Sequence, residues 1–138
     1  MLLPVESEAD MRSCYCAAAI TFILTDGRRD SDLLSSVGFD EQKLKNFVLS
    51  SQNYAGGFGD PYNCESHAGL TYCAVACLKL LGDSYIDQRV TEFCVMRQQD
   101  SLGGFQGRCN KLCDSCYSFW NMATLQILMG KELCLINE

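Results

Sequence analysis

Apolar positions along the chain follow helical periods of two kinds. Three segments are apolar around most of their circumference, which predicts buried helices at about residues 10–25, 66–82 and 114–130. Two others, residues 40–52 and 86–99, carry a single apolar stripe and predict half-exposed helices. Because buried and half-exposed helices alternate and no strand pattern intervenes, the sequence predicts an all-α fold.

The sequence also predicts the helix ends and the apolar stripes of the two half-exposed helices. Asp40 is a favoured N-cap, and Gly82 and Gly130 are favoured helix terminators. The stripe positions are Leu44, Phe47 and Val48 in the first half-exposed helix and Ile86, Val90, Phe93 and either Val95 or Met96 in the second.

The alternation is an internal repeat. A shift of 47 residues lays residues 52–73 over residues 99–120, with Gln52 on Gln99 and the two Gly-Gly-Phe triplets superposed. A shift of 57 residues matches Tyr15 with Tyr72. Repeats of this size are typical of stacked helical hairpins, so we expect residues 1–138 to form one domain that is an arc of such hairpins.

Composition excludes several classes of function. The net charge of −6 argues against a nucleic-acid surface, and no apolar run approaches the length of a membrane span. The N-terminal stretch carries glutamates where a secretory signal needs positive charge, so we expect a cytoplasmic protein. Its ten cysteines are then reduced thiols, mostly small residues of the core.

The starts of the three buried helices gather the candidate chemistry. The shifts make Asp10, His67 and Asp114 equivalent, and two residues further on they make Arg12, Gly69 and Cys116 equivalent. Helix starts present unpaired N–H groups and favour anions. Three donors lie at or just before these starts: His67, Arg108 and Lys111. They predict a phosphate-type site, with solvated loop cations and a helix-capping imidazole as the alternative.

A metal site is the second candidate. Asp114 and Cys116 supply a carboxylate and a thiol, both normal zinc ligands, at one helix start, where a capping aspartate and a core cysteine would be equally ordinary. A cysteine-only zinc site with Cys109, Cys113 and Cys116 is an alternative that needs a fourth ligand. Three more residues line either an apolar tunnel or a plain core: Tyr15, Cys73 and Trp120.

Three segments together resemble a known family. They are "DMRSCYC", "ESHAGLTYC" and "GGFQGRCNKLCDSCYSFW", and their order and spacing are similar to those of the beta subunit of protein prenyltransferases. The resemblance covers nearly the whole chain. It implies part of an α/α barrel around an apolar tunnel, an alpha-subunit partner, an isoprenoid diphosphate, a zinc ion, and acceptor proteins with a cysteine near the C-terminus.

The resemblance also implies residue roles. Asp114 and Cys116 match two of the three zinc ligands. His67, Arg108, Lys111 and Tyr117 match the residues that bind the diphosphate in the family. Among these, the resemblance implies that Arg108, Lys111 and Tyr117 act on the leaving group. The isoprenoid-binding set matches Arg12, Tyr15, Gly69, Cys73 and Trp120.

Two departures from the family pattern limit this expectation. The third zinc ligand of the family is a histidine in a later repeat, and this sequence has one histidine, His67. The early repeats of the family are missing too, so we expect a partial chain that is inactive alone. Segment similarities favour the type I geranylgeranyl class; "GGFQGRCNKL" is closer to farnesyltransferases, and Ala68 is similar to the Rab-directed class.

Overall fold

The computed structural model describes residues 10–28, 34, 36, 38–60, 64–83, 87–99 and 103–130. Five helices are named in this part of the chain: α1 (Met11–Leu24), α2 (Glu41–Ser50), α3 (Ala68–Leu80), α4 (Gln88–Val95) and α5 (Ser115–Met129). In the same ranges β-pairing is limited to isolated bridges. The predicted all-α fold class is confirmed.

Local signals set the helix ends. The Asp40 carboxylate accepts a hydrogen bond from the Lys43 N–H at 2.9 Å and caps α2, as the sequence predicts. Gly82, just after α3, and Gly130, just after α5, both have φ 62°, a conformation that glycine adopts without strain. The buried helices therefore end where the sequence indicates.

The helices form two layers. α3 lies between α1 and α5 and packs along both, so these three are inner helices. α2 packs against α1 and α3, and α4 packs against α5, so these two are outer helices. This arrangement is the predicted arc of helical hairpins, in which the start of every inner helix lies next to a Gly-Gly-Phe loop or at the edge of the arc.

The core is centred on α3. Its side chains at Ala74 and Cys77 are fully buried, as are Met11 of α1 and Val48 of α2. Leu44 and Phe47 pack against this cluster, which confirms the predicted stripe of α2. The apolar contact between α3 and its two neighbours is therefore the main stabilising feature of the described chain.

The stripe of α4 differs in part from its prediction. Val90 and Phe93 are buried, but Val95 and Met96 are 53% and 72% exposed. The buried residue next to Phe93 is Cys94, since α4 ends at Val95 and the chain turns away. The prediction of Val95 or Met96 is wrong, and Ile86 lies outside the described residues.

The cysteines are also more exposed than expected. Four of those described are buried: Cys14, Cys73, Cys77 and Cys94. Four others are exposed: Cys16, Cys64, Cys109 and Cys116. Cys113 is intermediate, so for the nine described cysteines the expectation that most fill the core is wrong.

Backbone pairing corrects the register of the repeat. Gln52 pairs with Phe58, but the residue that pairs with Phe105 is Gln98 rather than Gln99. The turn of the second Gly-Gly-Phe loop is one residue longer, since the Gly56 N–H donates to the Asn53 carbonyl while the Gly103 N–H donates to the Gln99 carbonyl. An ungapped overlay of the sequence cannot show this insertion.

Candidate active site

The starts of the three inner helices share one capping geometry. Asp10, His67 and Asp114 all have extended backbone, with φ between −124° and −144°. Each side chain accepts a hydrogen bond from the N–H two residues later, at 2.6 Å for Asp10, 3.1 Å for His67 and 2.9 Å for Asp114. The equivalence read from the sequence thus corresponds to equal local structure at one end of the inner layer.

An open cavity of about 410 Å³ lies at this end. Its lining residues are Arg12, Asp60, His67, Gly69, Leu70, Cys73 and Trp120. Five of these belong to the site predicted from sequence, and they come from all three inner helices. Asp60 and Leu70 were missed; Asp60 follows the first Gly-Gly-Phe-Gly stretch, so its place beside a repeat motif was the available signal.

Aromatic rings form a wall next to the cavity. Tyr72 lies at the centre, with its ring centroid 5.8 Å from Tyr15, 5.0 Å from Trp120 and 5.8 Å from Phe119. Phe119 and Trp120 also stack edge to face at 4.9 Å. Tyr15 thus contacts the Tyr72 ring and does not itself line the cavity. Together the rings offer an apolar surface to a hydrophobic ligand.

His67 is a neutral hydrogen-bond donor in this arrangement. Burial, and then the charge of Arg108, lower the pKa of His67, while Asp60 and Glu65 oppose the shift. Because Nδ1 accepts from the Gly69 N–H, the proton of the neutral ring is assigned to Nε2. The capping role expected as an alternative is therefore real, and it leaves Nε2–H for a ligand.

Arg108 and Lys111 occupy different environments. Arg108 pairs with Glu65 at 3.2 Å, and both side chains are about half exposed. Lys111 is exposed on the loop before α5. Neither Arg108 nor Lys111 is among the cavity-lining residues, but the charge of Arg108 acts on His67. Of the three predicted anion donors, the structure therefore brings Arg108 near His67 and leaves Lys111 in solvent.

Tyr117 is held against the backbone of the second Gly-Gly-Phe loop. A Cβ on Gly107 would lie 2.3 Å from the Tyr117 ring, so only glycine permits this contact. The Ala68 N–H donates to the Gly107 carbonyl at 2.9 Å, which joins the loop to the start of α3. The Tyr117 ring also stacks edge to face on His67 at 5.5 Å.

Asp114 and Cys116 are two neighbouring side chains that could coordinate a metal. The hydrogen bond from the Cys116 N–H lowers the pKa of Asp114, whereas desolvation and then the hydrogen bond to Asp114 raise the pKa of Cys116. A carboxylate and a thiol fit part of a zinc shell. Across the described ranges, however, no group of three or more candidate metal-binding side chains is found.

The cysteine-only zinc site finds no support. The Cys109 Sγ lies 2.6 Å from a guanidinium nitrogen of Arg97, and the Cys113 thiol donates to the Gln99 side-chain oxygen at 3.4 Å. These two thiols thus have partners of their own. The donors that fit zinc remain Asp114 and Cys116, and they are two rather than three.

Comparisons with known proteins agree with this architecture. The chain matches the family described as prenyltransferase alpha-alpha toroid domain over residues 2–138. It is 40% identical over 146 residues to the geranylgeranyl transferase type-1 subunit beta of Arabidopsis thaliana, an alignment that covers 96% of this chain and 36% of that protein. It is 38% identical to the protein farnesyltransferase subunit beta of Pisum sativum, over 89% of this chain and 27% of that one.

A solved structure of a protein prenyltransferase is also similar to this chain. Candida albicans protein geranylgeranyltransferase-I complexed with GGPP superposes with a TM-score of 0.80 at 32% identity, covering 95% of this chain and 38% of that chain. The chain therefore spans about a third of the length of the relatives that it matches.

Proposed function

Because this chain belongs to the prenyltransferase alpha-alpha toroid family, we propose that it forms part of the beta subunit of a zinc-dependent protein prenyltransferase. The transferred group is an isoprenoid, with geranylgeranyl favoured over farnesyl, since the relative from Arabidopsis thaliana and the Candida albicans enzyme are both geranylgeranyl transferases. The acceptor is a cysteine thiol near the C-terminus of another protein.

The cavity at the inner-helix starts is the observation that carries this proposal. Its lining combines charged and polar side chains, Arg12, Asp60 and His67, with the less polar side chains of Leu70, Cys73 and Trp120. A prenyl diphosphate has the same division into a polar head and an apolar tail. A Cβ at Gly69 would lie 3.3 Å from the His67 ring, so glycine avoids a tight contact with that ring.

Four polar groups at and around His67 serve the departure of diphosphate. His67 Nε2–H, the Arg108 guanidinium, the Lys111 ammonium and the Tyr117 hydroxyl stabilise the charge that develops on the leaving group. Lys111 reaches the anion from its solvent-exposed position by side-chain rotation. Arg12, Tyr15, Gly69, Cys73 and Trp120 bind the isoprenoid.

Asp114 and Cys116 are the residues that would hold part of the zinc shell. When bound, zinc keeps the acceptor thiol ionised at neutral pH. The two residues would supply two of the ligands that zinc needs, and a further ligand would come from outside the described residues. We therefore expect the 138-residue chain to bind zinc weakly, with loss to a mild chelator during dialysis, and Cys116→Ser to remove the remaining binding. Retention of one zinc per chain after such dialysis would contradict this ligand set.

The proposed partners are an alpha subunit, an isoprenoid diphosphate and the acceptor protein, in the cytoplasm. None of the helices in the described ranges has the length and apolarity that a membrane crossing requires.

A chimera tests the function directly. The matching segment of the Arabidopsis thaliana beta subunit is replaced by this chain, the product is co-expressed with the alpha subunit, and geranylgeranyl and farnesyl transfer to a cysteine peptide are measured. We expect geranylgeranyl transfer, with Arg108→Ala and Lys111→Ala each losing a charge-assisted bond worth about 1.5–3 kcal/mol and Tyr117→Phe slowing the chemical step. Preferential farnesyl transfer would assign the chain to the farnesyl class.

A non-catalytic helical-repeat module is the second candidate. The finding that favours it is the shortage of zinc ligands in the described ranges. A chimera that assembles with the alpha subunit but transfers neither isoprenoid would support this alternative.

A further inference from the structure

The two arginines of the site have different acidic partners. Arg12 donates to Asp10 through Nε at 2.9 Å and 3.1 Å, while Asp10 at the same time caps α1. Arg108 makes one bond, at 3.2 Å, to Glu65, which lies 43 residues earlier in the chain. Arg12 is thus part of a local cap, whereas within the described residues the Arg108 side chain is held by one hydrogen-bonded ion pair between repeats.

We propose that Glu65 is a counter-ion that occupies Arg108 until a phosphate-type anion displaces it, so that Glu65 sets the affinity for an anion bound beside His67. This inference rests on the proposed function, because it concerns the same anion site. Glu65 does not touch the ligand in this proposal; it acts through Arg108.

The geometry allows the exchange without movement of the backbone. Gly107, next to Arg108, is fixed by its hydrogen bond from the Ala68 N–H. The Arg108 and Glu65 side chains are 42% and 54% exposed, so the pair can separate by rotation of two side chains. A half-exposed pair of this kind is weak and easily exchanged for a more highly charged anion.

The negative charges near His67 also oppose the binding of an anion. Asp60 lines the cavity, and both Asp60 and Glu65 act on His67. An anion that enters must therefore approach two carboxylates, in a chain whose net charge is already −6. Removing the negative charge of Glu65 lowers this repulsion and releases Arg108, and both effects strengthen anion binding.

The test is isothermal titration of the full chain with inorganic diphosphate. We expect Glu65→Gln to bind diphosphate about three- to tenfold more tightly than the wild type. Glu65→Asp, which keeps the charge, stays at the wild-type affinity. The matched control is Glu92→Gln, which makes the same change of net charge on the exposed face of α4, where Glu92 accepts a bond from Gln88.

A second readout places the binding. His67 is the single histidine of the chain, so its imidazole carbon–proton NMR signal reports on the cavity without overlap. Diphosphate is expected to shift this signal in the wild type and, at lower concentration, in Glu65→Gln.

Equal affinity of the wild type and Glu65→Gln, or weaker binding by Glu65→Gln, would overturn the role of Glu65 and leave the anion site standing. If Glu92→Gln tightened binding as much as Glu65→Gln, net charge alone would explain the gain and the inference would fail. Absence of binding and of any shift in all variants would overturn both the inference and the anion site.

Discussion

The two Gly-Gly-Phe loops share a sequence and differ in what covers them. In the first loop, a Cβ on Gly56 would lie 2.2 Å from the Arg89 carbonyl oxygen, and one on Gly57 would lie 2.9 Å from the Phe93 ring. In the second loop, a Cβ on Gly103 would meet no described atom within 4 Å. α4 therefore covers the leading glycines of the first loop, whereas in the described ranges no helix lies against Gly103, and the second loop meets a helix only further on, where Gly107 faces Tyr117 of α5.

The difference shows where the constraint on a repeated motif arises. Both loops turn through a glycine with positive φ, 90° at Gly56 and 67° at Gly103, so the backbone demand is common to both. The close approach of a helix is an additional demand that the neighbouring hairpin imposes. In a stacked array each unit contacts its neighbours. The same residues therefore contribute differently to the free energy of unfolding according to their position in the stack.

The largest expected effect is a difference in stability between variants of Gly56 and Gly103, the first glycines of the two Gly-Gly-Phe triplets. Gly56→Ala combines backbone strain with a clash against the Arg89 backbone and should lower the free energy of unfolding by about 3 kcal/mol or more. Gly103→Ala carries the strain alone and should cost about 1 kcal/mol. Urea unfolding followed by helical circular dichroism measures both, and equal losses would mean that α4 does not press on the first loop.

The buried hydroxyl beneath the first loop gives the next effect. Thr71 is fully buried and its oxygen accepts from the Phe58 N–H at 3.0 Å. Thr71→Val keeps the shape and leaves that N–H unpaired, which should cost about 1–3 kcal/mol and speed hydrogen exchange at the Phe58 amide. Ser118, the equivalent in the second repeat, is only partly buried, so Ser118→Ala should cost about 0.5 kcal/mol or less. Similar losses in both variants would contradict the comparison.

The two loops also lead into different caps, and this gives a pH effect. The pKa of His67 is lowered from its ordinary value of 6.5 because of burial and then Arg108, so the folded state takes up the proton less readily than the unfolded chain. Stability should therefore be complete above pH 6.5 and decline as the pH falls below it. His67→Asn keeps a capping oxygen and removes the titration. Its unfolding midpoint should change less than that of the wild type between about pH 8 and pH 5.5; parallel curves would contradict this account.

Local features of the fold could be predicted because their causes are local. The Asp40 cap, the glycine terminators and the apolar stripe of α2 depend on residues within a few positions of each other. The repeat made the helix starts of the inner layer equivalent, and the shared capping geometry follows from that equivalence.

The remaining features depend on contacts between repeats. The Glu65–Arg108 pair joins residues 43 positions apart, and Asp60 lines the same cavity as residues from all three inner helices. No period or spacing encodes such meetings. The inserted residue before Gly103 likewise changes the register without changing the motif, so an ungapped overlay placed Gln52 on Gln99.

The smallest effect on stability is expected on α1, at the other edge of the array. Ile20, Ile23 and Leu24 are 57%, 75% and 77% exposed. The shift of 57 residues makes them equivalent to Cys77 and Leu80 of α3 and to its C-cap Leu81. Leu80 and Leu81 share a small cavity with Ala18 and Thr21 of α1. The face of α1 is therefore built like an inner-helix contact surface, and no described helix packs on it.

Replacing this apolar edge should change association rather than folding. The double variant Ile23→Lys and Leu24→Lys uses a good helix former at exposed positions, so its free energy of unfolding should stay within about 0.5 kcal/mol of the wild type. The wild-type chain should self-associate through this exposed patch, and the variant should do so less, as measured by size-exclusion chromatography with light scattering. Leu81→Ala, at the buried equivalent of Leu24, is the control and should cost about 2–5 kcal/mol. A monodisperse wild-type monomer, or a double variant as unstable as Leu81→Ala, would show that the edge of α1 is packed within the chain and would remove the distinction between a covered and an uncovered end.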